Sequence, residues 1–446
     1  TLGIYIIIIM KQLLILFGFL LVNQFSNAQN KLEFNSVDSL FKYAENNSFS
    51  IKTGEQQVLL AKWQKISAQA GLVNFRMQTS FSLTDNVKLP VTYFPAEAFG
   101  GEPGTFKEVT TGQQFMGNFN FAPQIDIINP VSWAKLKSAK INSELTDINN
   151  LIVKKALFES ISASYYNIIS LKEQIEISQR NLLTADTLQT IMQNKYSEGI
   201  LRQQDLNDAI INKLSLADKL KQLEISLNQQ YYALKVLCDI PQNEKLTITE
   251  NVNYNQVFNI GLQVNNQLEH KSSLLKADLA KEDLRVNRLS QYPTVSIVAY
   301  DGWQQNSKNE FFDSNSNWVN SQYIGLRLSM PFPDISRFTL TKNAKINKTI
   351  SEFEAKHAKH ENDIANIQLV LDYEKAYSQF KTANQIFLLK EENYQMASNQ
   401  FNAAILSSDK LLIAFDDMLV SQLNYSASLA NLLYAKSKIE INNSIQ

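Results

Sequence analysis

Apolar and polar positions along this chain follow two rhythms. Val73, Phe75, Met77, Phe81 and Leu83 alternate with Asn74, Arg76, Gln78, Ser82 and Thr84. A period of two predicts a strand with one face in an apolar medium and the other in water. The segment Pro90 to Gly112, rich in Gly and Pro, reads as a long loop, and a second alternation follows it: Phe115, Gly117, Phe119 and Phe121 against Met116, Asn118, Asn120 and Gln124. Later, Val295, Ile297 and Ala299 predict a third strand. Ile324, Leu326, Leu328 and Met330, set against Tyr323, Arg327 and Ser329, predict a fourth. Such strands are about the 9 to 11 residues that cross a bilayer when tilted.

The other rhythm is helical. Helix is predicted from Val37 to about Gly71, and no Pro or Gly interrupts the chain from Val131 to about Lys195. At ~1.5 Å per residue this second run is on the order of 100 Å long. Ile141, Leu145, Ile148 and Ile152, then Ile161, Tyr165, Ile168 and Ile175, form one heptad-like seam, and Leu151, Tyr166 and Ile169 lie on another side. Two seams imply two neighbouring helices. Gly199 breaks the run, and a return arm with Leu216, Leu220, Leu223, Leu227 and Leu234 ends at Asp239-Ile240-Pro241. A second long helix from Ile335 through Phe401 turns at Leu406 to Asp409 and returns to about Ile441.

The two halves are copies. Ala139-Lys140-Ile141-Asn142 recurs as Ala344-Lys345-Ile346-Asn347, and Tyr196 with Ile200-Leu201 recurs at the same spacing as Phe401 with Ile405-Leu406. Asn46-Asn47 and Ala61-Lys62 match Asn265-Asn266 and Ala280-Lys281 at a longer spacing, so the first copy carries extra residues in mid-repeat. A duplicated unit dictates the architecture. The expected division is an upstream extension and signal in 1–28, a first repeat in 29–241 and a second in 242–446, each running helix, strand, strand, long helical hairpin.

With only 13 Gly and 9 Pro in 446 residues, the composition favours long elements over many turns. A net charge of −1 offers a nucleic acid nothing to bind. Met10-Lys11, the apolar run Leu13 to Val22 and Ser26-Asn27-Ala28 before Gln29 have the order of an export signal. Cys238 is the only cysteine and is expected to be a buried apolar residue. Glu354, His357, His360 and Glu361 share a helix face, but no second Glu-x-x-His completes a two-metal site, so a solvated face is expected and no metal. No phosphate loop, paired-cysteine motif or nucleophile elbow occurs, so neither an enzyme nor a cofactor is expected.

Four strands are too few to close a barrel of roughly eight or more. In lipid every backbone amide must be paired, so a membrane reading forces several copies to pool their strands, in any multiple of four large enough to close.

These features together resemble the TolC-like outer-membrane efflux proteins over about residues 37 to 441. The resemblance rests on the duplicated element order and on a proline near the end of each second strand (Pro123 and Pro130; Pro331 and Pro333). It rests also on the helix opening Trp133-Ala134 with Ser138-Ala139-Lys140, and on the turn Tyr196-x-x-Gly199-Ile200 with Asp205-Leu206 and Ala209. The second turn departs, with Ala404 for Gly199 and Lys410 for Asp205.

What the resemblance implies is a mainly α protein with membrane β: long helical hairpins forming an α-barrel, and four strands per chain contributing to a shared 12-stranded β-barrel in a homotrimer. It implies a passive channel in the outer membrane, reaching into the periplasm, for substrates delivered by an inner-membrane transporter through a periplasmic adaptor. Its docking tips would be Tyr196, Gly199, Ile200, Leu201, Asp205 and Leu206, with Phe401, Ala404, Ile405, Leu406, Asp409 and Leu411. The alternation expects Asn74, Arg76, Gln78, Asn118, Asn120 and Arg327 to face a water-filled pore, and Phe75, Phe81, Phe119 and Phe121 to face lipid. The competing readings are a periplasmic coiled-coil adaptor, which should have one hairpin beside globular β domains, and a soluble helical scaffold or bundle enzyme.

Overall fold

The computed structural model describes residues 31–249, 264–332 and 335–445. The export-signal segment and Pro333 lie outside them. In chain order the elements are β1 (Lys31–Phe34), α1 (Val37–Asn47), α2 (Phe49–Ala70), β2 (Phe75–Asp85), β3 (Val91–Pro95), a 3-10 turn (Ala96–Phe99), β4 (Phe106–Thr110), β5 (Phe115–Ile128), α3 (Pro130–Ser197), α4 (Gln203–Cys238), β6 (Lys245–Ile248), α5 (Leu268–Leu289), β7 (Thr294–Ser307), β8 (Trp318–Ser329), α6 (Ile335–Asn402) and α7 (Ser408–Ser444). Helices α3 and α6 have 68 residues each, and α2 and α5 have 22 each. No helix among the described residues is long and apolar enough to cross a membrane.

The described residues separate into two compact units that cut across the expected division: 31–56, 148–249, 264–270 and 358–445 in one, 57–147, 271–332 and 335–357 in the other. In the first, the predicted seam is core: Ile161, Tyr165 and Ile168 are fully buried beside Leu40, Leu234, Leu268 and Ile441. Cys238 sits in the same core, and burial pushes its thiol up to about 12, where it is inert. β1 and β6 pair in parallel there, an association of two four-residue strands that local periodicity does not announce.

The single helix predicted from Val37 to Gly71 is two. Ser48 is extended (φ −62°, ψ 129°), and the Asp239 carboxylate accepts the Phe49 N–H at 2.7 Å and the Ser48 hydroxyl at 3.3 Å. A half-buried carboxylate that accepts the first amide of α2 restarts the helix at that point. At the start of α5 Asn266 meets the same need. Its Oδ1 accepts the Leu268 N–H at 3.0 Å, while its Nδ2 donates to the last carbonyls of α7, Asn442 at 2.9 Å and Ile445 at 2.5 Å.

The other unit holds an antiparallel sheet in the order β2-β5-β7-β8. All four strands are those the alternation predicts, β5, β7 and β8 being longer. The segment Pro90 to Gly112, expected as a loop, instead folds into the hairpin β3–β4, closed by the 3-10 turn. It occupies the connection between β2 and β5, and only residues 308–317 join β7 to β8. The β2–β5 connection is thus longer than the β7–β8 one by an ordered hairpin. β3 and β4 alternate only over five residues each, too short a run to stand out from a turn-rich sequence.

Candidate functional site

Register sorts the sheet into two chemical faces. Arg76 pairs with Gln124, Gln78 with Ala122, Ser80 with Asn120 and Ser82 with Asn118. Asn120 pairs with Gly302, and Ser296 with Arg327. With Asn74 in phase just ahead of β2, all six residues predicted to face water share one face. The opposite face carries Phe75 across from Ile125, Phe81 across from Phe119, Ile297 across from Leu326 and Ala299 across from Ile324. It is not apolar throughout. Asp301 lies on it, accepting from Asn320 Nδ2 at 2.6 Å and Gln322 Nε2 at 3.2 Å, so the β7–β8 half has a shorter apolar band than the β2–β5 half.

On the polar face, at the end where the strands meet the helices, hydrogen bonds run across the sheet. Asp126 is 4 % exposed. It accepts from Arg76 Nη2 at 3.0 Å, the Ser296 hydroxyl at 2.8 Å, Gln124 Nε2 at 3.1 Å, Asn129 Nδ2 at 3.1 Å and Asn74 Nδ2. Arg327 continues the row through Gln124 Oε1 at 3.4 Å. A buried carboxylate is tolerable only when it is paired and fully hydrogen-bonded, and five donors meet that demand. Sequence reasoning missed Asp126; its signal was a lone acid in phase with the polar residues of β5. Farther along the same face the rings of Tyr300 and Tyr323 stack with centroids 5.2 Å apart, and the Tyr300 hydroxyl donates to Asn120 Oδ1 at 2.7 Å. Tyr300 lies over Gly302, where a Cβ would come within 2.3 Å of its hydroxyl.

The two hairpin turns lie in the other unit. Gly199 (φ 74°) and Ala404 (φ 60°) are both left-handed. After the first long helix, Gly199 N–H bonds Tyr196 O at 2.9 Å and Ile200 N–H bonds Lys195 O at 2.9 Å. After the second, Ala404 N–H bonds Phe401 O at 3.1 Å and Ile405 N–H bonds Gln400 O at 2.8 Å. Both are Schellman-type endings. Ile200 and Ile405 project at 64 % and 76 % exposure. Tyr196, Gly199, Ala404 and Asp409 are also exposed, and Leu201 and Leu406 are half-buried. Leu206, Phe401, Leu411 and Asp205 are buried, so they shape the tips from within instead of offering a surface.

Asp205 accepts the Arg202 backbone N–H at 3.1 Å and the guanidinium at 3.2 Å from both Nε and Nη2. The Arg202 hydrogen bonds, with a further one from the Ser408 hydroxyl, hold its carboxyl below the usual carboxylate range. Asp205 therefore ties the first tip to the second, as does Lys195, whose Nζ lies 3.9 Å from the centre of the Phe401 ring. The spacing Arg202 to Asp205 is the signal that could have been read, an acid three residues after the first non-helical position. The Ser407 hydroxyl lowers the pKa of Asp409. Between α4 and α7 a groove is lined by Asp208, Asn212, Asp409, Leu412 and Asp416. Burial raises the Asp416 carboxyl, although Asn212 Nδ2 donates to it at 2.6 Å.

This arrangement holds no convergent nucleophile, base and acceptor. What it offers is a sheet with one polar and one largely apolar face, and a pair of exposed turns. No family model matches the chain. It is 21 % identical over 301 residues to Toxin and drug export protein A of Aggregatibacter actinomycetemcomitans, covering 64 % of this chain and 63 % of that protein, somewhat under two thirds of the relative's length. Among solved structures, the CmeC outer membrane channel of Campylobacter jejuni superposes with a TM-score of 0.75 at 14 % identity, covering 91 % of this chain and 85 % of that one. CusC gives 0.72 at 14 % identity, with 91 % and 92 % covered. The outer membrane protein VceC of Vibrio cholerae gives 0.67 at 16 %, with 90 % and 94 % covered.

Proposed function

We propose that this chain, which has the fold of the TolC-like outer-membrane efflux channels, is the outer-membrane conduit of an export system and works as a homotrimer. The observation that carries the reading is the open sheet. β2 and β8 are edges among the described residues, and one face is polar while the other is largely apolar. Unpaired strand edges cost several kcal/mol per backbone group in hydrocarbon, so such a sheet is stable in a membrane only when other copies complete the ring. Three copies bring twelve strands, enough to close around water. Phe338, Ile346, Ile350 and Phe353 on α6 are exposed in the single chain, which suits a helix that meets neighbouring helices.

The protein performs no covalent chemistry. It supplies a hydrated path, lined by Asn74, Arg76, Gln78, Asn118, Asn120 and Arg327, past the low-dielectric barrier. Energy comes from an inner-membrane transporter, and the tips around Ile200 and Ile405 dock on a periplasmic adaptor. The relative named for toxin and drug export makes such solutes candidates for the cargo.

Membrane fractionation with a short cross-linker between cysteines placed at Gln78 and Tyr323 tests this. Recovery in the outer membrane with a covalent trimer is expected. A soluble periplasmic chain overturns the conduit, and a ladder that stops at the dimer overturns the threefold assembly.

A further inference from the structure

We infer that the row of Arg76, Asp126 and Arg327 makes the strand-lined part of the conduit prefer anions, and so favours solutes that carry carboxylate or phosphate groups. The inference rests on the conduit reading and adds a charge selectivity to it. Among the described residues of β2, β5, β7 and β8, the polar face carries three charged side chains, and all three stand in this row. Asp126 is consumed by Arg76 at 3.0 Å and by its four uncharged donors. Among the described residues Arg327 keeps only the long bond to the neutral Gln124, and no carboxylate pairs with it. Each copy therefore contributes one uncompensated positive charge to the wall.

Placement strengthens the effect. Arg76 stands on one edge strand and Arg327 on the other, so when copies join edge to edge the arginines of neighbours flank each seam and the row becomes a ring. Low-dielectric lipid behind a narrow aqueous path focuses the field of such a ring into the water. Rings of arginine favour anions. The planar guanidinium also matches carboxylate and phosphate oxygens in pairs. The hydrogen bonds that pin Gln124 between Asp126, Ser296 and Arg327 hold the free guanidinium near the wall, leaving the centre of the path open.

The test uses the full chain in a planar lipid bilayer under a potassium chloride gradient, at about 0.01–0.1 M, where exposed charges are weakly screened. The wild type is expected to pass chloride over potassium. Arg327→Gln lowers that permeability ratio by about twofold, Arg327→Glu reverses the preference, and Arg327→Lys retains it. Inorganic phosphate slows the chloride current of the wild type and not that of Arg327→Gln. A conducting wild type with a ratio of one or less overturns the inference and leaves the conduit standing; so does Arg327→Gln conducting with an unchanged ratio. A wild type that never conducts overturns both.

Discussion

The two hairpin turns have the same backbone and different side chains. Gly199 and Ala404 occupy the same left-handed region and make the same pair of closing hydrogen bonds, yet only the first is the residue that region favours. The turn is therefore imposed by the helices on either side: Phe401, Leu411 and Phe415 are buried against Met192 and Leu206, and that packing holds Ala404 where it is strained. The first turn is held additionally by its own electrostatics, the Arg202–Asp205 pair, whereas the second repeat has Ser407 and Lys410 at those positions. One tip is locally determined and the other is held from outside. Opening should begin at the second.

The largest test of this contrast is Gly199→Val. A β-branched residue at φ 74° costs about 2–3 kcal/mol. Amide exchange at 196–201 should accelerate by more than tenfold while the core around Tyr165 keeps its protection. Equal acceleration at both places would mean that the turn is not a local unit. Next comes Asp205→Ala, which removes an N-terminal acceptor and the link to Ser408. About 1 kcal/mol of tip stability should disappear, read by exchange at 200–208, and binding to the proposed adaptor should weaken while the proposed trimer persists on a native gel. Ala404→Gly should move the other way, relieving left-handed strain against the entropy of glycine for a gain of about 0.5–1 kcal/mol at the second tip. If exchange there does not slow, the strain is absent.

The smallest effect is in pH. Asp205 and Asp409 have lowered carboxyls, held by Arg202 and Ser407 respectively. Their stabilisation is present above the ordinary carboxylate value and is lost as pH falls through their lowered values. Asp416 is raised by burial, so its contribution has the opposite sign: it favours the folded tip when protonated and is lost as pH rises through the raised value. Asp416→Asn should therefore stabilise the groove between α4 and α7 at neutral pH, with no gain below the ordinary carboxylate range, measured as exchange corrected for its intrinsic pH dependence.

Periodicity made most of the fold legible. α3 runs Pro130–Ser197 where Val131 to Lys195 was expected, and β2, β5, β7 and β8 stand where residues alternate. These patterns are readable because a helix face and a strand face each bury a fixed local subset of positions. The polar face was readable for the same reason. The β1–β6 pair, the break at Ser48 and the hairpin β3–β4 were not: each depends on a short or distant partner, such as Asp239 lying across from Phe49.

By itself the amino-acid order determined the four two-faced strands, the long helices and the place of both turns, since all of these are repeats of short-range spacing. Tertiary structure alone decided which polar groups meet: Asp126 with Arg76 and Ser296, Asp205 with Ser408, Asn266 with the end of α7. Those pairings join residues far apart in the chain, and no local period encodes the moment when packing withdraws a carboxylate from water and obliges it to find its donors.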